Sequence, residues 1–149
     1  DGIPRYKLVD GTPVVRAQEE VDSDRLPAAK AAKIAKSKVD LEAYLASHPL
    51  QWTDGEYYSI TAEKQSQLSG KMAAVQAAQL LGQPYVMKWN DTGMVCREWS
   101  LPDIAALGLA IDTRATALVT YQQTQEIAIN SAQTMAELES IEVDYDTVV

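Results

Sequence analysis

The chain has 149 residues, a formal net charge of −8 and a sequence pI of about 4.6. Such a chain repels phosphate backbones on average, so nucleic-acid binding, which needs a basic stripe, is not expected. A single cysteine excludes an intrachain disulfide and fits a reducing compartment.

One ordinary domain, or a domain with an arm, fits this length. A chain this size buries about 70% of its unfolded surface, enough for a true core. Hydrophobic residues make up 46%, much of it alanine, with no phenylalanine and three tryptophans. Helix-on-helix contact suits such a composition better than a thick sandwich. No apolar run approaches the ~20 residues needed to span a bilayer. The start has no signal-peptide pattern, and no membrane partner is expected.

In chain order, residues 1–20 read as extended. "YKLV" and "TPVV" flank Asp10-Gly11, a two-residue hairpin turn. An isolated hairpin is marginal in water, so this arm must dock, pair or stay mobile. "RAQEEVDSDRLP" reads as a charged linker, giving an extended arm and linker over 1–24 and a helical domain over 25–144.

From Leu26 to about Ser47 the pattern is helical, with Pro27 in the first turn. Ile34, Leu41 and Leu45 share a face, with Lys38 snorkelling at its edge or narrowing it. Pro49 stops the helix. "LQWTDGEYYSI" is a strand–turn–strand candidate around Asp54-Gly55. Thr61 then caps a helix to about Leu81, with Leu68, Met72, Val75 and Gln79 in register, Gly70 in its middle and Gly82 at its end. "PYVMKWNDTGMVCREWS" is a second hairpin, turning at "NDTG". The two hairpins are expected to pair into one small sheet over the helices.

The strongest helix starts at Ser100, with Pro102 in its first turn and Asp103 at the positive end of the dipole. Ile104, Ile111, Leu118 and Gln125 lie seven apart, as do Gly108, Ala115, Gln122 and Ile129. This is a long packing seam. Its partner is either the Thr61–Leu81 helix or a second chain, where a polar layer would fix register. The apolar register ends near 130–133. Thr134 and Glu137 then form a capping box that starts a helix of about two turns. Leu138 and Ile141 are expected to fold back on the long helix as a clamp. "EVDYDTVV" reads as frayed or extended. The fold class expected is mainly α (α+β): a three-helix core, a short C-terminal clamp helix, one or two small hairpins and an extended N-terminal arm.

Most enzyme templates fail by inventory. Nucleophilic triads need a histidine, and the only one, His48, is explained by its helix end. Zinc sites want several Cys and His ligands. There is no Gly-rich phosphate loop. Neither "VDSD" nor "EVDYD" has the EF-hand order. Glu19 and Glu20 read as solvated charge, and Cys96 as a buried thiol. No enzyme activity, cofactor or metal is expected. Lys30, Lys33, Lys36 and Lys38 crowd one segment, whereas after Arg114 there are only acids, Glu126, Glu137, Glu139, Glu142, Asp144 and Asp146. This is either a polar surface with a dipole or an acidic patch for a basic partner.

The order of "AAKAAKIAK", "YYSITAEKQSQLSG", "KWNDTGMVCREWSLPDIAALGLAI" and "INSAQTMAELESI", covering Pro27 to Ile141, resembles an uncharacterised domain of bacteriophage and prophage proteins, often encoded near tail-fibre genes. It is similar in layout to phage tail-fibre assembly proteins. The resemblance does not reach residues 1–22. It implies a non-enzymatic tail-fibre module protein, an assembly chaperone or adaptor that is released or retained in the virion as a tail structural subunit. The implied partner is a tail-fibre or baseplate protein, and the implied location is the host cytoplasm during assembly, or the virion tail. The alternative is a soluble cytoplasmic module directed at a host protein, with the late acids as its contact. Candidate partner-binding residues follow from the residues themselves. Tyr6, Leu8 and Val14 form a hairpin edge for strand addition. Trp89 and Trp99 form either an aromatic contact patch or core. Ile111, Leu118 and Gln122 form a seam for a homo-oligomer.

Overall fold

The computed structural model describes residues 2–93 and 96–148. Met94 and Val95, in the expected second hairpin, and the terminal Asp1 and Val149 lie outside the described residues. The fold is mainly α with small antiparallel hairpins.

Asp10 and Gly11 both take positive φ (50° and 77°), the requirement of the tight turn whose twist matches a hairpin. They join β1 (Tyr6–Val9) to β2 (Thr12–Val15). Helix α1 follows at once and runs Gln18–Ser47. The expected linker is therefore helix. Glu19 and Glu20 suit its positive end, the Glu20 carboxylate accepts from the Ala17 amide (3.2 Å), and Val21 is buried. Pro27 consequently lies inside the helix rather than in its first turn. An interior proline costs about 3 kcal/mol, which the packing of a 30-residue helix must offset. His48 ends the helix by donating its amide to the Tyr44 carbonyl, and its ring stacks on Tyr44 at 3.9 Å.

β3 (Leu50–Gln51) and β4 (Tyr57–Tyr58) pair around Gly55. Thr61 caps α2 (Ala62–Leu80), its hydroxyl accepting from the Lys64 amide. Beyond it, β5 (Lys88–Trp89) pairs with β6 (Arg97–Glu98). The two hairpins do not merge into one sheet: among the described residues each pair stays two-stranded. They are joined instead by the Thr92 amide on the Tyr57 carbonyl (2.8 Å). Side chains add to this link. Arg97 donates to Asp54 and to the Tyr58 hydroxyl, and Tyr58 donates to Asp54 at 2.9 Å. Burial raises the Asp54 carboxyl, but the Glu56 amide, the Tyr58 hydroxyl and the Arg97 guanidinium together hold it below the usual aspartate value.

α3 (Leu101–Ser131) begins at Ser100, whose hydroxyl accepts from the Asp103 amide. It buries Ile104, Leu107, Ile111, Ala115, Leu118, Gln122 and Ile129. By length and composition alone α3 is also apolar enough to cross a membrane, with 28% of its apolar window buried, contrary to the reading of the linear sequence. Its main partner is α1, with α2 meeting it more sparingly. The seam expected against the Thr61–Leu81 helix or a second chain is thus closed mostly by the first helix. At its middle, the Gln122 amide donates to the Ser37 hydroxyl (3.1 Å) and to Glu126 (3.1 Å), and Lys38 pairs with Glu126 (3.1 Å).

Thr134 caps α4 (Met135–Ser140), as expected; Glu137 reaches back to the Gln133 amide (2.6 Å). Leu138 is buried beside Ile129 and Ala132, with Leu26, Ala29, Ile34 and Ile141 packed around them. The clamp therefore closes on α1 as well as on the long helix. The crowded lysines of α1 are used here. Lys30 donates to the Asn130 carbonyl (2.8 Å) and Lys33 to the Leu138 carbonyl (2.7 Å), each a cation at the negative end of a helix.

The tail is ordered against the body, not frayed. A short 3-10 turn, Tyr145–Thr147, buries Tyr145, whose hydroxyl donates to the Ser37 carbonyl at 2.7 Å. Tyr121 meets its ring edge-on at 5.6 Å, and Arg114 donates to the Val148 carbonyl.

Two outcomes follow from this core. Leu118 is wholly buried, so Leu118→Ala will lose about 2–5 kcal/mol in a denaturant titration, with hydrodynamic size unchanged. Burial first, and then the Asp40 charge, push the Tyr145 hydroxyl from 10.0 to about 12. The fold favours the neutral phenol. Its contribution is therefore complete below pH 10 and is lost as pH rises from about 10 to about 12. Tyr145→Phe will flatten the stability curve across that window.

Candidate functional site

The amino-terminal hairpin is the element least covered by the rest of the chain. All eight strand residues of β1 and β2 are exposed. The register pairs Tyr6 with Val15, Lys7 with Val14, Leu8 with Pro13 and Val9 with Thr12. Because side chains alternate across a strand, this register makes two unlike faces. Tyr6, Leu8, Pro13 and Val15 form one. Lys7, Val9, Thr12 and Val14, with Arg5 and Arg16 at the open end, form the other.

The polar face is the one tied to the body. Lys7 pairs with Glu20, and Arg16 pairs with Asp24 at 2.6 Å. Arg16 also donates to the Glu20 carbonyl (3.0 Å) and the Pro4 carbonyl (3.1 Å). The Lys7 ammonium beside Glu20 holds that carboxyl below the usual glutamate value. The apolar face points the other way. Tyr6, Leu8 and Val15 are 64%, 72% and 66% exposed, against 46% and 41% for Val9 and Val14. A sheet with one wet face ordinarily turns its apolar side to the core. Here the order is inverted, and a contiguous apolar patch is left uncovered, a mark of an interaction surface.

The sequence-derived candidates divide accordingly. Tyr6 and Leu8 stand together on the uncovered face. Val14 does not join them, since its parity places it opposite, beside Lys7. Val15 and Pro13 complete the patch instead, and pairing residues outward on both sides of the Asp10-Gly11 turn identifies both.

The aromatic contact patch is core. Trp89 is buried, with Lys64 over its ring at 5.4 Å. Trp99 is half-buried between Arg97, at 4.5 Å, and the edge of Tyr58, with its indole N–H lacking an acceptor among the described residues. Ile111, Leu118 and Gln122 are buried within the chain and offer no surface for self-association. Cys96, expected to be buried, is exposed. It lies just before β6, outside the pairing that turns Trp89 inward. Its thiol sits 3.8 Å from the Asn90 side-chain oxygen.

Elsewhere, a groove of about 400 Å³ runs between α2 and α3, past Leu68, Met72 and Gly108, with Asp112 the one charged side chain in its lining. Among the described residues no group of three or more His, Cys, Asp or Glu is placed to hold a metal.

If the apolar face is uncovered in solution, Tyr6→Ser and Leu8→Ser will each leave the folding free energy within about 0.5 kcal/mol of the parent, measured by thermal and denaturant unfolding. A loss well above that would mean the face is covered.

Compared with known proteins, the chain matches no protein-family model, no curated protein and no solved structure.

Proposed function

We propose that the chain is a non-enzymatic binding subunit of a bacteriophage tail-fibre module, docking on a tail-fibre or baseplate protein through its amino-terminal hairpin. The observation that carries the docking reading is the inverted hairpin, with its apolar face outward and its charged face held to α1. The phage setting rests on the order of sequence motifs from Pro27 to Ile141. An assembly chaperone or adaptor needs a stable body and one presented surface. The helical body supplies the first, and Tyr6, Leu8, Pro13 and Val15 supply the second.

The alternative, an acidic module aimed at a host protein, has less to support it. Several of the late acids serve the fold itself. Glu126 pairs with Lys38, Glu137 caps α4, and Asp144 accepts from the Asp146 amide in the tail turn.

The test is co-precipitation from infected cells, with quantitative mass spectrometry of purified particles. The wild-type chain is expected to capture a fibre or baseplate protein, and the Tyr6→Ser, Leu8→Ser double variant to lose that capture. A fixed low copy number in particles would identify a retained subunit, and absence would identify a released chaperone. Capture of no tail protein, or capture indifferent to the double variant, would overturn the proposal.

A further inference from the structure

Resting on that docking reading, we infer that the hairpin receives its partner at one edge only. β1 takes up an extended segment of the partner protein that alternates apolar and acidic residues.

The phase of the hairpin's hydrogen bonds supplies the argument. The Arg16 amide donates to the Arg5 carbonyl at 3.0 Å. In an antiparallel ladder, bonded and non-bonded pairs alternate. With the register above, Lys7–Val14 and Val9–Thr12 are then the bonded pairs, and Tyr6–Val15 and Leu8–Pro13 the non-bonded ones. The amides and carbonyls of Tyr6 and Leu8 therefore point outward along the free edge of β1. On the free edge of β2 the corresponding position is Pro13, which has no N–H to donate. Proline at such a place blunts an edge against added strands. One edge is thus open and the other closed, and no third strand occupies either among the described residues.

The side chains specify what kind of strand fits. A strand laid along β1 extends both faces of the hairpin. On one face its residues would lie beside Tyr6 and Leu8 and continue the apolar patch. On the other they would lie beside Arg5, and beside Lys7, which already pairs with Glu20 of α1. Arg5 is exposed and has no ion pair among the described residues. Opposite charges across strands are stabilising and like charges directly opposite are not. Acidic residues on that face, alternating with apolar ones, match this edge. A second copy of this chain fits it poorly. Antiparallel pairing of two β1 strands with Tyr6 across from Leu8 sets Lys7 directly opposite Lys7 of the second copy.

The experiment uses the full chain with labelled amides and two synthetic peptides, one alternating valine with glutamate and one alternating valine with lysine. On adding the glutamate peptide, the amide protons of Tyr6 and Leu8 are expected to become protected from exchange. Leu8→Pro removes the outward donor and leaves the internal ladder intact, as Pro13 does natively. It should bind about tenfold or more weaker than Leu8→Ala, the loss of roughly one backbone hydrogen bond together with its strand geometry. The lysine peptide should bind more weakly than the glutamate one. Absence of binding by the glutamate peptide, protection elsewhere than Tyr6 and Leu8, or equal binding by the proline and alanine variants would overturn strand addition at β1. Equal binding of the two peptides would overturn the acidic specificity. If fibre capture still depends on Tyr6 and Leu8 while these tests fail, docking through the apolar face stands and strand addition falls. If capture ignores the hairpin altogether, both fall.

Discussion

Three polar groups buried in the α1–α3 seam set the arrangement of everything else. Ser37, Gln122 and Tyr145 are each nearly inaccessible to solvent, and they satisfy one another through the Ser37 hydroxyl and carbonyl. Leaving a buried polar group unpaired costs about 1–3 kcal/mol. A slip of α3 along α1 would take the buried Gln122 amide away from the Ser37 hydroxyl, which itself donates to the Ile34 carbonyl of α1. The apolar residues around them, Leu41, Leu45, Ile111 and Leu118, tolerate many alignments; the polar layer tolerates one. It therefore fixes the register of the two long helices and draws the tail across them.

That register has a geometric outcome at the far end of α1. The helix spans 30 residues, about 45 Å at 1.5 Å per residue. Its carboxyl-terminal half lies in the core and its first turns carry the hairpin. Lys7–Glu20 and Arg16–Asp24 anchor one hairpin face to those turns. Exposed ion pairs contribute little to stability individually. Their value here is orientational, since they decide which face of a short, otherwise unsupported sheet looks outward.

Local chemistry was readable from the sequence, and long-range pairing was not. The Asp10-Gly11 turn and the caps at Thr61, Ser100 and Thr134 all act within a few residues, and each was found where its side chain demands. The linker reading failed because the charges of "RAQEEVDSDRLP" look like solvated coil. Their purpose, pairing with the hairpin and favouring the helix start, depends on residues up to 13 positions away. Tyr145 gave no local sign of burial, because its acceptor lies 108 residues earlier. Gln122 was legible as a register-fixing layer only against a second chain, because a sequence does not say which helix it faces; it meets Ser37 of α1. Of the candidate site, Tyr6 and Leu8 were legible from alternation. Val14 was misplaced because alternation was not carried across the turn, and Trp89 stayed open between contact patch and core because a short hairpin does not announce which side meets the core.

The separation between contacting segments also bears on how the chain assembles. α1 is made first, yet Lys30 finds its carbonyl 100 residues later, Lys33 its own 105 later, and Ser37 its tyrosine 108 later. Loops of that length slow the search for native contacts. During synthesis, α1 must wait with its apolar stripe unpaired until α3 and the tail have emerged, and α2 with its flanking hairpins offers it only partial cover. Its lysines keep that waiting helix soluble. The same side chains that later latch the ends of α3 and α4 first serve as the charge that keeps an unfinished chain apart from its neighbours.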